Sequence, residues 1–257
     1  MRTITRATIL AGLVGIFANL GGNALAQGSF TATYDFAQVT TSSGTTDPTP
    51  PPTASGATFG AFSATGYTGN PNASSRFSWT SNPLGGVNSS DDFSQFTGSL
   101  DPVAYFEVSV TPQGGFAVQL DSVAFTMQRS GTGIRSYAVR SSLDGYAANL
   151  PASINPANAN LGVGSVNEFR WLSDAITTAQ NGSLVTLGGL FGDLTSPVTF
   201  RFYGWNAEGT AGTFSIDNVA FSGNTRNVPE PGAAALLAIG LATFGTWRVR
   251  ASRSVSK

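Results

Sequence analysis

The stretch that decides the fold is VTFRFYGWNAEGTAGTFSIDNVAFSG, residues 198–223. Phe200 and Phe202 occupy alternate positions with Arg201 between them, which is the two-residue period of a strand with one face in a core. A glycine-containing turn follows, and then a second apolar run. The stretch therefore predicts an antiparallel hairpin.

The second half of this hairpin is repeated earlier in the chain. Residues 120–125 read LDSVAF, and residues 216–221 read IDNVAF. In both copies the second apolar residue comes three positions after the first, where a regular strand would have it after two. An extra residue in the apolar period predicts a β-bulge, or a bend between two short strands, which would place Asp121 and Asp217 at the irregularity.

The same alternation appears in residues 106–110 and 116–120, and clusters of Gly, Pro, Asn and Ser separate such runs. This pattern predicts an all-β domain over residues 27–228, an antiparallel two-sheet β-sandwich of jelly-roll type. An immunoglobulin-like sandwich is the alternative. The proline-rich segment 40–56 predicts an exposed loop, because proline cannot join the interior of a sheet.

The composition excludes several classes of chemistry. The 257 residues include no Cys and no His, and the one Lys is residue 257. Thiolate nucleophiles, histidine metal sites and Ser-His-Asp triads are therefore excluded. Residues 27–228 carry thirteen acidic side chains and seven arginines, a net charge of −6, which argues against nucleic acid as a partner.

The N-terminus has the order of features found in secretory signal peptides. Arg2 and Arg6 are followed by an apolar stretch over residues 7–20, and Ala24 and Ala26 form a small-x-small cleavage site. We therefore predict that residues 1–26 are a signal peptide and that the mature chain begins at Gln27.

The C-terminus combines a proline motif, an apolar run and a basic cluster. Pro229-Glu230-Pro231 precedes the sixteen residues 232–247, and Arg248, Arg250 and Arg253 follow them. At ~1.5 Å per residue this run spans ~24 Å as a helix, and interfacial Trp247 with the snorkelling arginines can extend it across a membrane. We predict a single C-terminal transmembrane helix whose basic end stays in the cytoplasm.

These C-terminal residues resemble the PEP-CTERM sorting signal, which occupies residues 229–253 here. The resemblance implies a bacterial exported protein in a cell that makes extracellular polysaccharide. It also implies a partner, an exosortase-type membrane protease that cuts the tail. The precursor would then be held in the inner membrane and the product moved to the cell surface or beyond. An ordinary C-terminal anchor is the alternative.

Residues 129–133, 137–146 and 198–223 also resemble segments common in PEP-CTERM proteins, a group to which no established biochemical activity is attached. This second resemblance supports the fold and the location of the protein. It implies nothing about its chemistry.

Two surface sites are candidates for binding. Tyr203 and Trp205 share one strand face, opposite Phe200 and Phe202, and could form a flat platform that stacks on sugar rings. Core packing of these rings is the alternative. Asp35, Asp121 and Asp217 are candidate ligands for a structural calcium ion, which takes six to eight oxygens. The alternative is that Asp217 bonds the amides of its own bulge.

No catalytic residues are predicted. Asp91 and Asp92 follow Asn88-Ser89-Ser90 and are typical of a solvated turn. We therefore expect a non-enzymatic surface or matrix protein that is structural or adhesive and associated with extracellular polysaccharide. The alternatives are a jelly-roll carbohydrate-binding module and a glycoside hydrolase, which would need two facing carboxyls about 5–10 Å apart.

The first test concerns export. Protein recovered from the cell surface should begin at Gln27, because Ala24 and Ala26 fit the small-residue requirement of signal peptidase. N-terminal sequencing checks this. Surface-located protein that still begins at Met1 would contradict it.

Overall fold

A computed structural model describes residues 27–67 and 75–228 of the chain. Residues 28–225 form one compact unit. The predicted signal peptide, the sorting motif Pro229-Glu230-Pro231 and the arginine cluster 248–253 lie outside the described residues. Within the described part, no helix is long and apolar enough to cross a membrane.

The described chain is all-β. Its fourteen strands are β1 Gln27–Tyr34, β2 Thr53–Ala54, β3 Ala57–Phe59, β4 Ser63–Thr65, β5 Phe77–Trp79, β6 Tyr105–Pro112, β7 Phe116–Gln128, β8 Ser136–Ser141, β9 Ala152–Ile154, β10 Leu161–Val163, β11 Phe169–Trp171, β12 Gln180–Thr186, β13 Val198–Trp205 and β14 Phe214–Asn227. The helical residues between them form short 3-10 turns, at Phe93–Gln95, Ser142–Asp144 and Gly189–Phe191.

The strands form two sheets. The six-stranded sheet of the described residues has the order β1-β14-β7-β12-β9, with β5 also paired to β14. The eight-stranded sheet has the order β10-β11-β8-β13-β6-β3-β2, with β4 also paired to β6. The strand pairs with a described register are antiparallel. The predicted two-sheet antiparallel β-sandwich is confirmed.

The alternating residues of β6 and β13 point into the core, as their pattern predicts. Phe106 and Phe202 are partners across the two strands, and neither is more than 1% exposed. Phe106 also stacks on Phe214 of the opposite sheet, with ring centroids 4.7 Å apart. Aromatic pairs of this kind stabilise the contact beyond the apolar area that they bury.

The predicted irregularity is present in both copies of the repeat. In β7, Asp121 and Ser122 are both partly exposed between buried Leu120 and Val123. In β14, Asn218 has a φ of +49°, a left-handed backbone conformation that Asn tolerates better than most residues. The apolar phase slips by one residue at each position, and the burial of later side chains resumes in the new phase.

The proline-rich segment only partly follows the prediction. Pro48 and Pro50 are exposed, as expected of a loop. The prediction of a loop is wrong for the later part of the segment, where Thr53–Ala54 pairs with β3. Asp47 is also buried, because its backbone N–H donates to the Phe62 carbonyl and draws the segment against the sandwich.

A matched pair of leucines tests where the core lies. Leu120 is 1% exposed and Leu190 is 79% exposed. Leu120→Ala should lower the free energy of unfolding by about 2–5 kcal/mol, because it removes buried methyl groups and leaves a cavity. Leu190→Ala should change it by less than about 0.5 kcal/mol. Chemical denaturation followed by tryptophan fluorescence measures both, and equal effects would contradict the described core.

Candidate functional site

The predicted aromatic platform lies on the outer face of the eight-stranded sheet, but it is not open to solvent. Tyr203 is 2% exposed and Trp205 is 7% exposed. They form a small apolar cluster with Ala138, against which Leu100 and Tyr105 pack. The prediction that Tyr203 and Trp205 form an exposed sugar platform is therefore wrong, because another part of the chain covers them.

That part is residues 83–104, named here the cover segment. It is bonded to the chain just after β13: the Asn206 side-chain oxygen accepts from the Gly98 N–H at 2.8 Å, and the Ala207 N–H donates to the Pro83 carbonyl at 2.9 Å. Gly85 has a φ of +129°, and a Cβ there would lie 2.0 Å from the Gly98 nitrogen. Only glycine fits this crossing of the cover segment with itself.

Arg135 binds the cover segment to the rest of the domain. Its guanidinium donates to the Ser90 carbonyl at 2.8 Å and to the Asp91 carboxylate at 2.9 Å. Its Nε donates to the Trp171 carbonyl at 2.9 Å. The guanidinium carbon also lies 5.2 Å from the ring centre of Phe96, within the range of a cation–π contact. The side chain has no solvent exposure, so these contacts replace its hydration.

A second buried arginine completes an ion network. Arg129 and Arg135 both contact Glu208, at 2.9 and 3.0 Å, and all three side chains are fully buried. Asp174 lies 3.0 Å from Arg129 and 3.5 Å from Arg135. The arrangement satisfies the rule that buried charges are paired. Arg129, Arg135, Asp174 and Glu208, together with the exposed Asp91, are named here the buried ion network.

The pKa values of the two more deeply placed carboxyls of this network, Glu208 and Asp174, are shifted in opposite directions. Burial raises the pKa of Glu208, and the neighbouring Asp174 adds to the rise against the lowering effect of Arg135 and Arg129. Burial also disfavours ionised Asp174, but hydrogen bonds, that of Arg129 first, hold its pKa below the ordinary value. Two acids with opposed pKa shifts share the charge of two arginines.

The structure separates the two aspartates that the sequence predicts to form a solvated turn. Asp92 is exposed and caps the 3-10 turn Phe93–Gln95, accepting from the Ser94 N–H at 2.9 Å, as expected of a turn residue. Asp91 is also exposed, with 57% of its side chain accessible, but it binds Arg135 and accepts from the Asp174 N–H at 2.6 Å. It is therefore a structural residue of the buried ion network.

The outer face that the cover segment leaves open carries a second arrangement. Arg201 lies between two tyrosine rings, with its guanidinium carbon 3.9 Å from the ring centres of both Tyr105 and Tyr146. Its Nε donates to Glu107 at 2.6 Å. The Arg201 and Glu107 side chains are 23% and 31% exposed. Burial opposes the charge of Arg201, but the bond to Glu107 raises its pKa above the ordinary value.

Arg140 is the cross-strand partner of Arg201. Its Nε donates to the Asn149 side chain at 2.8 Å and its Nη1 to the Tyr146 carbonyl at 3.0 Å. None of the ion pairs in the described residues includes Arg140. Tyr105, Glu107, Arg140, Tyr146 and Arg201 are named here the arginine–tyrosine site.

The turn that carries Tyr146 has an unusual backbone. Gly145 has a φ of +69° and Tyr146 a φ of +62°. The left-handed conformation is an outlier for a bulky aromatic residue, and such outliers cluster at functional sites. The conformation is fixed by a hydrogen bond of 2.9 Å from the Tyr146 N–H to the Ser141 carbonyl. It brings the Tyr146 ring against Arg201.

The three candidate calcium ligands do not meet at one place. Asp121 accepts from Asn224 at 3.1 Å, and Asn224 lies seven residues along β14 from Asp217. At about 3.3 Å per residue, Asp121 and Asp217 are on the order of 20 Å apart. The prediction that Asp121 binds the same calcium ion as Asp217 is therefore wrong. Within the described ranges, no group of three or more acidic side chains could hold a metal ion.

Asp217 instead takes the alternative role expected of it. Its carboxylate accepts from the Asn218 N–H at 2.7 Å, which satisfies an amide of its own bulge. Burial raises the pKa of Asp217, and the nearby Asp35 carboxylate adds to the rise. Asp35 directly follows β1, which pairs with β14, and its carboxylate accepts from the Ala37 N–H.

Sequence reasoning missed the buried ion network and the arginine–tyrosine site. Arg135 stands between Ile134 and Ser136 before a run of apolar residues, and a charge in such a place signals a buried partner. Nothing in the sequence identifies that partner as Glu208, which is 73 residues away. For Tyr146, its position after an Asp-Gly turn was visible, but its contact with Arg201 was not.

No protein-family model matches the chain, and no curated protein matches it by sequence. Among solved structures, a cleaved adhesin domain of Lys-gingipain from Porphyromonas gingivalis is similar at 14% identity, over 75% of this chain and 97% of that domain. The TM-score is 0.32. A likeness at this level carries no argument about the activity of this chain.

The buried ion network generates a stability prediction. Arg135→Met should lower the free energy of unfolding by about 3–5 kcal/mol, because it leaves buried carboxylate without one of its two arginines. Arg170→Met is the matched control. Its pair with Glu168 is 3.5 Å long and partly exposed, so the cost should stay within about 1 kcal/mol.

Hydrogen exchange gives the second readout of this pair of variants. Amides of the cover segment should exchange faster in Arg135→Met, because the contacts to Ser90 and Asp91 are lost. They should change less in Arg170→Met, which loses only the contact of Arg170 with the Phe93 ring. Unaltered exchange in a destabilised Arg135→Met would show that this arginine does not hold the cover segment.

Proposed function

We propose that the protein is an exported, non-enzymatic cell-surface or extracellular-matrix protein that adheres to extracellular polysaccharide through a jelly-roll sandwich. The observation that carries the proposal is the arginine–tyrosine site. Tyrosine rings present apolar faces to the C–H groups of a sugar ring. The Arg201–Glu107 pair presents fixed donors and acceptors to its hydroxyls. Both kinds of group are partly exposed on an outer sheet face.

The C-terminal residues support the exported location. Strand β14 ends at Asn227, two positions before Pro229. Proline has no backbone N–H and restricts the residue before it, so a Pro-Glu-Pro sequence favours an extended conformation that is accessible to a protease. In this proposal an exosortase-type membrane protease cuts at that motif, and a helix with the stop cluster Arg248, Arg250 and Arg253 holds the precursor in the inner membrane.

A carbohydrate-binding module with one defined subsite is the second candidate. The specific observation in its favour is the Tyr146 backbone, since a strained turn that positions one ring against Arg201 suits a built subsite better than a general adhesive surface. The two candidates differ in the length of ligand that they bind. A module binds a short oligosaccharide with a discrete affinity, whereas an adhesive surface binds only long polymer.

Binding and catalysis are tested together. The full chain in detergent micelles should co-sediment with extracellular polysaccharide from the source bacterium without raising its content of reducing ends. Arg201→Ala should reduce co-sedimentation, because it removes the group that both tyrosines contact. Arg170→Ala, an arginine outside the site, should not. Absence of co-sedimentation would refute the adhesive role, and new reducing ends would show a hydrolase.

The sorting role has its own test. Replacing Pro229-Glu230-Pro231 by alanines should leave membrane insertion intact and block processing, because the protease would lose its motif. Membrane fractions should then accumulate precursor and lack the form that ends at about residue 231. The control replaces the exposed Pro48 and Pro50 by alanine and should be processed like the natural chain. Normal trimming of the triple variant would show that the tail is an ordinary anchor.

A further inference from the structure

We infer that the arginine–tyrosine site recognises the carboxylate groups of an acidic polysaccharide, a polymer that contains uronic acid. This inference rests on the proposed function and names its ligand class. Arg140 and Arg201 would hold the carboxylate, and Tyr105 and Tyr146 would contact the sugar ring that bears it.

The first step is the placement of two like charges. Arg140 and Arg201 are directly opposite each other on paired strands, and like charges in this position destabilise a sheet. Glu107 offsets only one of them. Asp144, the acid closest to Arg140 in sequence, is occupied by the amides of Ala147 and Ala148. The site therefore carries a net positive charge.

That charge stands out against the rest of the domain. Residues 27–228 have a net charge of −6, which by itself repels polyanions. A pair of arginines with one carboxylate between them is therefore a local exception, and a ligand with a single, well-placed negative group gains from it. A ligand of high charge density gains less, because the surrounding acids oppose it.

The second step is the geometry of the guanidinium groups. The Arg201 guanidinium lies against two rings, which restrict its rotation. In its plane, Nε donates to Glu107, and the group also hydrogen-bonds the Tyr203 side chain. Arg140 is held by Asn149 and by the Tyr146 carbonyl through Nε and Nη1. Its Nη2 has no partner among the hydrogen bonds of the described residues. Planar, oriented arginine forks match a carboxylate.

The third step is the position of the aromatic rings. Tyr105 and Tyr146 flank the same guanidinium, so a carboxylate bound there would have its own sugar ring beside a tyrosine face. Tyr146 makes this contact from a left-handed backbone conformation with a φ of +62°, which Gly or Asn would adopt with less strain.

The test compares one polymer backbone in two charge states. The full chain in detergent micelles should bind polygalacturonate, and binding should be at least tenfold weaker to fully methyl-esterified polygalacturonate, in which the carboxylates are neutral. Binding should weaken as salt rises, because partly exposed charges are screened. Surface plasmon resonance or isothermal calorimetry measures each affinity.

Variants assign the effect to the site. Arg140→Gln should weaken binding of polygalacturonate at least tenfold, and Arg140→Lys should restore only part of it, because lysine keeps the charge and loses the fork. Arg170→Gln is the control and should bind like the natural chain. Thermal unfolding of each variant shows whether it is folded, and Arg140→Lys carries the test if Arg140→Gln does not fold.

Several results would overturn the inference. These are equal binding of the esterified and acidic polymers, an unchanged affinity in Arg140→Gln, or tighter Arg140-dependent binding of dextran sulfate than of polygalacturonate. In each case retained co-sedimentation with the native polysaccharide would leave the proposed function standing. Loss of that co-sedimentation in the natural chain would refute the proposed function itself.

Discussion

The charges of two arginines without solvent exposure have to be neutralised inside the β-sandwich. The arrangement of the outer sheet face follows from that constraint. Removing a guanidinium from water costs several kcal/mol unless ion pairs and hydrogen bonds replace its hydration. Arg129 and Arg135 obtain these from Glu208, after β13, and from Asp174. Arg135 adds Asp91 in the cover segment. Segments distant in sequence are thereby held on one sheet.

The same constraint divides the outer face into a covered part and an open part. Once Arg135 holds Ser90 and Asp91, the cover segment packs over the end of β13 and buries Trp205. Nearer the start of the same strand, Arg201 remains partly exposed between its two tyrosines. A surface that carries aromatic and charged groups together is left where the cover segment does not reach.

The regularities that sequence predicted are those that depend on neighbouring residues. Strand alternation in β6 and β13, and the phase slip at Asp121 and Asp217, follow from backbone geometry over a few positions. The face on which Tyr203 and Trp205 lie was predicted correctly for the same reason. Their burial was not, because it depends on a segment about 100 residues earlier that has no periodic pattern of its own. The Arg135–Glu208 pair has the same long separation.

The edges of the two sheets have a consequence for association between copies of this chain. In the described residues, the strands at sheet edges other than β1 have only two or three residues: β2, β4, β5, β9 and β10. Short edges expose few unpaired backbone groups, so they are poor templates for pairing with another chain. Strand β1, with eight residues, is the exception. Edge-to-edge association between crowded copies is therefore directed to the strand that begins the mature chain in our prediction.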